Sequence, residues 1–268
     1  MQFAANLDYL WTDAPVSQAI VGAAQAGFDA VELGVLAAQD IDAVIAAQEA
    51  TGMEILSLSV SRGNIARDDC GLAAVPGREG AASLAIDQAI AQAVTLGVPL
   101  VEVTAGRAQG PAAYDTLLGN LDYACSQAAL HGLKVAMGPQ NSRDVVGGFL
   151  SSLGLCRQVM ADLNHDALRL VFDCYDVARS DGDLSGHLTD CLDNIGVLRF
   201  AGVPDRGAPD RGEVNFAYLF RHIEALGYAA PLSASYRPTG RTERSLSWMR
   251  SLRPAVIRPW QLAASAGR

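Results

Sequence analysis

Lysine and histidine are scarce in this sequence. Of its 268 residues, only Lys134 is a lysine, and the histidines number four. An enzyme that works through a Schiff base needs a lysine amine at its active site, and histidine is the side chain that most readily changes charge near neutral pH. The two scarcities therefore limit the catalytic mechanisms open to the chain: a Schiff base could form only on Lys134, and only four histidines could act in acid–base catalysis.

Long apolar runs, net positive charge and paired cysteines are missing as well. No stretch approaches the roughly 18 apolar residues of a transmembrane helix, and MQFAANLDYL lacks the features of a signal peptide, so we expect a cytoplasmic protein. A net charge of −9 argues against nucleic acid and membrane as partners, and we expect a small-molecule substrate. The five cysteines include no CxxC pair and are interpreted as reduced packing residues.

Short β-rich runs alternate with longer amphipathic stretches along the chain. The pattern predicts strands over 3–7, 30–34, 54–60, 100–106, 134–139, 168–175, 197–204 and 231–236. Helices are predicted between them, for example over 40–52 and 81–97, with glycine caps at 27, 52, 97, 132, 196 and 227. Eight unbroken β–α units predict an α/β protein with a single (β/α)8 TIM barrel over 1–260 and a flexible tail over 261–268. A doubly wound sheet is the alternative, but no glycine-rich phosphate fingerprint follows the first strand.

In such a barrel the chemistry lies at the carboxyl ends of the strands. The residues predicted at that end are Glu32, Ser59, Glu102, Gly138, Gln140, Asp173, Asp176, Arg199 and Ser235. The histidines fall on helices or before strands, and Lys134 starts a strand. A Schiff-base aldolase is therefore excluded, because the single lysine lies at the opposite end.

Seven segments, spread along nearly the whole chain, carry a recognisable pattern: FAANLDYLWTDAP, AGFDAVELG, GLAAVPGREG, PQNSRD, FDCYD, VPDRGAPDRGEVNF and YRPTGRTE. Together they resemble the hydroxypyruvate isomerase family of the xylose-isomerase-like barrel superfamily. The resemblance implies a metal-assisted aldose–ketose isomerase fold. It also implies a divalent ion held by a glutamate, an aspartate, a glutamine and a second glutamate on the last four strands, with the glutamates moving the proton between adjacent carbons.

Most of that ligand set is missing here. Gly138 stands at the first glutamate position, Arg199 at the glutamine and Ser235 at the last glutamate, and only the aspartate, Asp173, is retained. A hard dication needs several oxygen ligands. We therefore expect no metal and no cofactor.

Arg199, at the glutamine position of the family pattern, also predicts which positive charge takes the place of the metal ion. Arg199 brings a permanent positive charge, and neighbouring strands lie about 4.8 Å apart, so we expect Arg199 to pair with Asp173. Such a pair is worth roughly 4 kcal/mol before desolvation at about 4 Å and a dielectric constant of about 20. Gly138 is expected to leave open space, which favours a larger substrate, as in specialised metabolism.

Four residues are the catalytic candidates. Glu102 and Asp176, which stand at histidine positions of the family pattern, supply proton transfer with Asp173, and Arg199 stabilises an oxyanion. The candidates for substrate binding are Tyr175, Arg143, Tyr236, Arg241, Arg78, Ser59 and Ser235. The arginines among them suit a carboxylate or phosphate, which they can bind through two parallel hydrogen bonds.

Each candidate also has a structural interpretation. Asp173 and Arg199 can form a buried structural pair, Glu102 can be a solvated rim residue, and Asp176 can begin a polar loop. The segments around Arg78 and Arg241 can be turns. PDRGAPDRG, which contains Arg206, is interpreted as a flexible rim.

Three functions remain open. The first is a metal-independent enzyme acting by isomerisation, cyclisation or elimination on a small oxygenated carbonyl compound. The second is a metal-dependent hydroxypyruvate isomerase with ligands redrawn to Glu102, Asp173 and Asp176, against which Arg199 argues. The third is a non-catalytic binding protein that retains the scaffold. The sequence leaves open the substrate and whether the exposed helices form a homodimer.

Overall fold

The computed structural model describes residues 1–252 and shows a closed barrel of eight parallel strands. The strands are β1 Phe3–Asn6, β2 Ala30–Leu33, β3 Glu54–Ser59, β4 Leu100–Glu102, β5 Lys134–Met137, β6 Leu168–Asp173, β7 Ile195–Phe200 and β8 Leu232–Ala234. They follow one another around the barrel in chain order, and β8 closes on β1. The predicted (β/α)8 barrel is confirmed, while the expected tail at 261–268 lies outside the described residues.

Helices cover the outside of the barrel. They are α1 Val16–Gln25, α2 Ile41–Thr51, α3 Glu79–Leu96, α4 Pro111–Ala129, α5 Leu153–Leu163, α6 Cys174–Ser180, α7 Leu184–Cys191, α8 Phe216–Ala225 and α9 Trp248–Leu252. Gly52 and Gly97 end α2 and α3 in the left-handed conformation, as expected. Gly196 was expected to do the same, but it is the second residue of β7. Among residues 1–252, no helix is both long and apolar enough to span a membrane.

Apolar side chains pack on both faces of the strands, outside the barrel against the helices and inside it below the mouth. Outside the strands, Trp248 packs edge-on against Phe3 and Phe200, with ring centroids 5.1 and 5.3 Å apart. Inside the barrel, the buried cluster is small and consists of Leu100, Ala136, Val171 and Val197. Because side chains alternate between the faces of a strand, the next inward residues toward the carboxyl ends include Glu102, Asp173 and Arg199.

Candidate active site

Arg199 lies at the centre of the mouth between two glutamates. Its Nε and Nη2 donate to the carboxylate of Glu32 at 2.7–3.2 Å, while Nη1 and Nη2 donate to Glu102 at 2.9 and 2.7 Å. The Arg199 side chain is 11% exposed, and those of Glu32 and Glu102 are 1% and 12% exposed. Ser57 donates to Glu32 at 2.6 Å, and Ser59 donates to Glu102 at 3.4 Å. One cation thus contacts two carboxylates, which come from β2 and β4 on the wall of the barrel across from β7.

The charge of Arg199 decides the protonation of Glu102. Burial by itself would raise the pKa of Glu102, but the positive charge of Arg199 and its hydrogen bonds outweigh burial and lower that pKa below the ordinary value. Glu102 is therefore a carboxylate at neutral pH. It is also the more exposed of the two glutamates, which makes it the one that a substrate reaches more easily.

A second arginine forms a separate cluster beside the first. Arg206, on the loop after β7, donates to Asp173 through Nη2, to Asp176 through Nη1 at 3.2 Å and to the backbone oxygen of Ser235 through Nε at 3.1 Å. Its side chain is 7% exposed. The backbone of Arg206 has a φ of 56°, a left-handed conformation that is uncommon for a side-chain-bearing residue. Such conformations often occur at functional sites.

Two tyrosine rings enclose this guanidinium. The Arg206 Cζ atom lies 4.7 Å from the ring centroid of Tyr9 and 4.6 Å from that of Tyr175, both within range of a cation–π interaction. Tyr175 donates its hydroxyl hydrogen to Asp144 at 2.8 Å, and burial together with Asp144 raises the pKa of Tyr175 to about 12. The Tyr175 hydroxyl is thus already used within the protein, and its ring positions Arg206.

The two aspartates of the second cluster begin a helix. Asp173 ends β6 and caps α6 by accepting from the backbone N–H of Tyr175 at 2.9 Å. Asp176 accepts from the backbone N–H of Asn141 at 3.1 Å. Burial raises the pKa of Asp173, and the nearby charge of Asp176 adds to the rise against the opposing effect of Arg206.

Three expectations about the mouth are wrong. Arg199 does not pair with Asp173, although the two are register partners on β6 and β7; Arg199 reaches across the barrel instead. Arg206 is buried and central, not on a flexible rim. Gly138 leaves no space, because a Cβ there would lie 2.5 Å from the Val171 carbonyl oxygen and 2.9 Å from the Val171 Cβ.

The remaining candidates for substrate binding divide by location. Ser59 and Ser235 lie at the mouth, where Ser235 accepts from the Asn6 amide at 3.1 Å. Tyr236 is fully buried, and its hydroxyl contacts Ser245 at 2.7 Å and accepts from Trp248 Nε1 at 3.1 Å. The structure thus places Tyr236, a predicted substrate-binding residue, in the packing of the C-terminal part of the described chain.

The three loop arginines are not drawn into either cluster. Arg78 lies 3.3 Å from Asp69, Arg143 is exposed, and Arg241 has a side chain that is 76% exposed and lies 3.7 Å from Glu243. Arg241 lines a groove beside α1 and α2. The structure therefore does not place Arg241 with the mouth residues as expected.

Sequence reasoning missed three residues of the mouth. Glu32 was recognised at a strand end but given no role, and Arg206 was assigned to the rim. Tyr9, three residues after the end of β1, was not considered. Its ring contacts Arg206, and among the described residues its hydroxyl has no hydrogen-bond partner. The only signal for Tyr9 was its place just after a strand end.

The residues at the mouth do not fit the divalent ion that the fold family implies. Gly138 supplies no ligand atom, Arg199 supplies a cation, and Asp173 and Ser235 are engaged by Arg206 and Asn6. Within residues 1–252, no three or more His, Cys, Asp or Glu side chains are grouped so that they could hold a metal ion. The guanidinium of Arg199 provides the positive charge in this place.

Known proteins similar to this chain include a family described as a TIM barrel and relatives that are named as isomerases. The family described as "Xylose isomerase-like TIM barrel" matches residues 21–252. A "putative hydroxypyruvate isomerase" from Danio rerio is 33% identical over 261 residues, covering 93% of this chain and 95% of that protein. A "2-oxo-tetronate isomerase" from Cupriavidus necator is 32% identical over 256 residues, covering 93% and 97%. The crystal structure titled "AP endonuclease, family 2 from Brucella melitensis" superposes with a TM-score of 0.89 at 29% identity, covering 94% of this chain and 99% of that one.

Proposed function

Since this chain belongs to the xylose isomerase-like TIM barrel family, we propose that it is an isomerase that moves a proton in a small oxygenated carbonyl compound without a bound metal. The observation that carries the proposal is the Arg199 guanidinium, which is bound on both sides by the carboxylates of Glu32 and Glu102. A fixed cation beside a carboxylate supplies the two elements that enolisation requires: a base, and stabilisation of the developing negative charge.

Glu102 is the base in this proposal. Its lowered pKa keeps it ionised at neutral pH, and its side chain is the more exposed of the two that contact Arg199. Four of the five N–H groups of Arg199 are engaged by the two glutamates. The fifth, on Nη1, has no acceptor among residues 1–252 and is available to an enolate oxygen.

Asp173 is the second carboxyl group that we propose for proton transfer. Burial raises its pKa, whereas Arg199 lowers that of Glu102. Two carboxyl groups whose pKa values are shifted in opposite directions are suited to opposite roles in proton transfer. Arg206 then positions Asp173 and Asp176, and the Tyr9 hydroxyl is a free donor for a substrate oxygen.

The names of the relatives support a substrate class. Hydroxypyruvate and 2-oxo-tetronate, the compounds in their names, both have a hydroxyl-bearing carbon next to a carbonyl. Removal of the proton from that carbon by Glu102 gives an enediolate. A proton then passes from the original hydroxyl oxygen to the former carbonyl oxygen, and return of a proton to the former carbonyl carbon leaves the carbonyl on the neighbouring carbon, which completes an isomerisation. We propose a compound with this α-hydroxycarbonyl unit as the substrate.

The test is proton exchange in D2O with EDTA present. Each of the two compounds is incubated with the enzyme, and the loss of the C–H signal next to the carbonyl is followed by NMR. We expect exchange with the native protein, no exchange with Glu102→Gln, and native exchange with Arg221→Gln, which changes an exposed arginine on α8. Exchange that appears only after a divalent metal is added would favour the metal-dependent alternative. Absence of exchange in all conditions would favour a binding protein.

A further inference from the structure

A cavity of about 480 Å³ lies at the end of the barrel opposite the mouth. It is formed at the amino-terminal ends of β5 and β6, together with α5 and the end of α7. Its lining includes the only lysine of the chain, Lys134, with Arg157, Arg169 and His165, and also two aspartates, Asp166 and Asp190. Three cations thus face two carboxylates here, a small excess of positive charge in a protein whose net charge is −9.

The cations of this cavity lack the partners that the mouth arginines have. Arg199 and Arg206 each contact two carboxylates. Lys134 and Arg169 instead donate to the same backbone oxygen, that of Asp166, at 3.2 and 3.0 Å. Among the described residues, neither has a carboxylate within salt-bridge distance. Two neighbouring positive groups therefore share a carbonyl, which carries no formal charge.

Two other lining residues, His165 and Arg157, also have hydrogen-bond donors that a ligand could use. His165 accepts from the backbone N–H of Ala167 through Nδ1 at 3.0 Å, so its other ring nitrogen, Nε2, carries the proton and is a donor. Arg157 lies 3.6 Å from Asp190, and both side chains are more than half exposed. An exposed pair of this kind is weak and exchanges partners readily.

The backbone is adapted to hold Arg169 in this place. A Cβ on Gly196 would lie 2.8 Å from the Arg169 Cβ and 2.8 Å from Leu100 Cδ1. Since real side chains do not come this close, the absence of a side chain on β7 is what makes room for the stem of Arg169. Gly196, which was expected to be a helix cap, thus makes room for the Arg169 side chain.

We propose that this cavity binds a small oxyanion with two or more negative charges, such as a phosphate or a polycarboxylate. Two cations without carboxylate partners, a third in a weak exposed pair and a histidine donor suit several oxygens at once. A neutral ligand would leave the charges of Lys134 and Arg169 uncompensated. The site lies at the other end of the barrel from the mouth and does not depend on the reaction proposed there.

The single lysine makes a direct test possible. Reductive methylation with ¹³C-formaldehyde labels only Lys134 and the amino terminus of Met1, and it preserves both charges. Met1 lies beside Glu224, outside the cavity, and is the internal control. Inorganic phosphate and citrate are titrated separately at constant ionic strength, which distinguishes a phosphate site from a carboxylate site. We expect a saturable shift of the Lys134 signal with at least one of the two and no shift of the Met1 signal.

Calorimetry with unlabelled variants provides the second measurement. Lys134→Gln should weaken binding of the same anion by about tenfold or more, because a hydrogen bond to a charged group is lost. Arg221→Gln removes one positive charge elsewhere and should leave binding unchanged. The proposal is overturned if neither anion shifts the Lys134 signal, or if Lys134→Gln binds as tightly as the native protein.

Discussion

The guanidinium of Arg199 contacts the carboxylate of Glu102 through two parallel hydrogen bonds, Nη1 to Oε1 at 2.9 Å and Nη2 to Oε2 at 2.7 Å. The same guanidinium also binds Glu32, which lies on the same wall of the barrel as Glu102, two strands away. Both glutamates are almost fully enclosed, so each depends on Arg199 for its counter-charge. This triad is the basis of the predictions for the mouth.

Removing the cation should destabilise the protein as well as inactivate it. Arg199→Gln leaves two buried carboxylates without a counter-charge, and breaking a buried pair typically costs about 3–5 kcal/mol. Urea unfolding should show a loss of that order. Arg221→Gln, at an exposed position on α8, should change the free energy of unfolding by no more than about 0.5 kcal/mol. Equal effects of the two variants would show that Arg199 is not needed by the glutamates.

The pKa of Glu102 predicts a specific change in acid stability. Because its folded pKa is lower than its unfolded pKa, Glu102 contributes stability above the ordinary glutamate range, and this contribution is lost as the pH falls through the folded pKa. Glu102→Gln should therefore lose less stability than the native protein as the pH falls below 4.5, the ordinary value. Parallel stability–pH curves for the two proteins would contradict the assignment.

Asp173 should act in the opposite direction. Burial raises its folded pKa, so the folded state binds a proton more tightly than the unfolded state, and stability falls as the pH rises from the ordinary aspartate value of 3.8 through the folded pKa. Asp173→Asn should remove that decrease. Unfolding free energies measured across this interval test it, and an unchanged decrease in the variant would assign the titration to another group.

Gly138 should tolerate no side chain. An alanine Cβ at this position would contact the Val171 backbone oxygen at 2.5 Å, and overpacking of this kind costs about 1–3 kcal/mol. The matched control is Gly119→Ala on α4, where a Cβ meets nothing within 4 Å and alanine should stabilise the helix by about 1 kcal/mol. The melting temperatures of both variants test this prediction. An unchanged melting temperature for Gly138→Ala would show that there is open space beside Gly138.

The barrel could be predicted from the sequence because its signals are local. Each predicted strand, such as 30–34, overlaps the observed one, here Ala30–Leu33, since parallel strands buried on both faces are short apolar runs. The glycines at the ends of α2 and α3 follow from local backbone conformation. These features depend on neighbours along the chain.

The partners at the mouth could not be predicted in this way. The spacing of neighbouring strands suggests an Asp173–Arg199 pair, but a long side chain that points into a barrel reaches the opposite wall, where Glu32 and Glu102 lie. The position of Arg206 depends on how a loop rich in proline, glycine and aspartate folds back over the mouth. Composition favours an exposed loop there, whereas two tyrosine rings and two aspartates bury the arginine.

We propose that the Arg199 guanidinium supplies the positive charge for which the fold family uses a divalent ion. Elemental analysis of the purified protein tests this most directly, carried out after dialysis against manganese and magnesium and then against buffer. We expect far less than one divalent ion per chain, for both the native protein and Glu102→Gln. One tightly held manganese, magnesium or zinc ion per chain that is lost on substitution of Asp173 would contradict it.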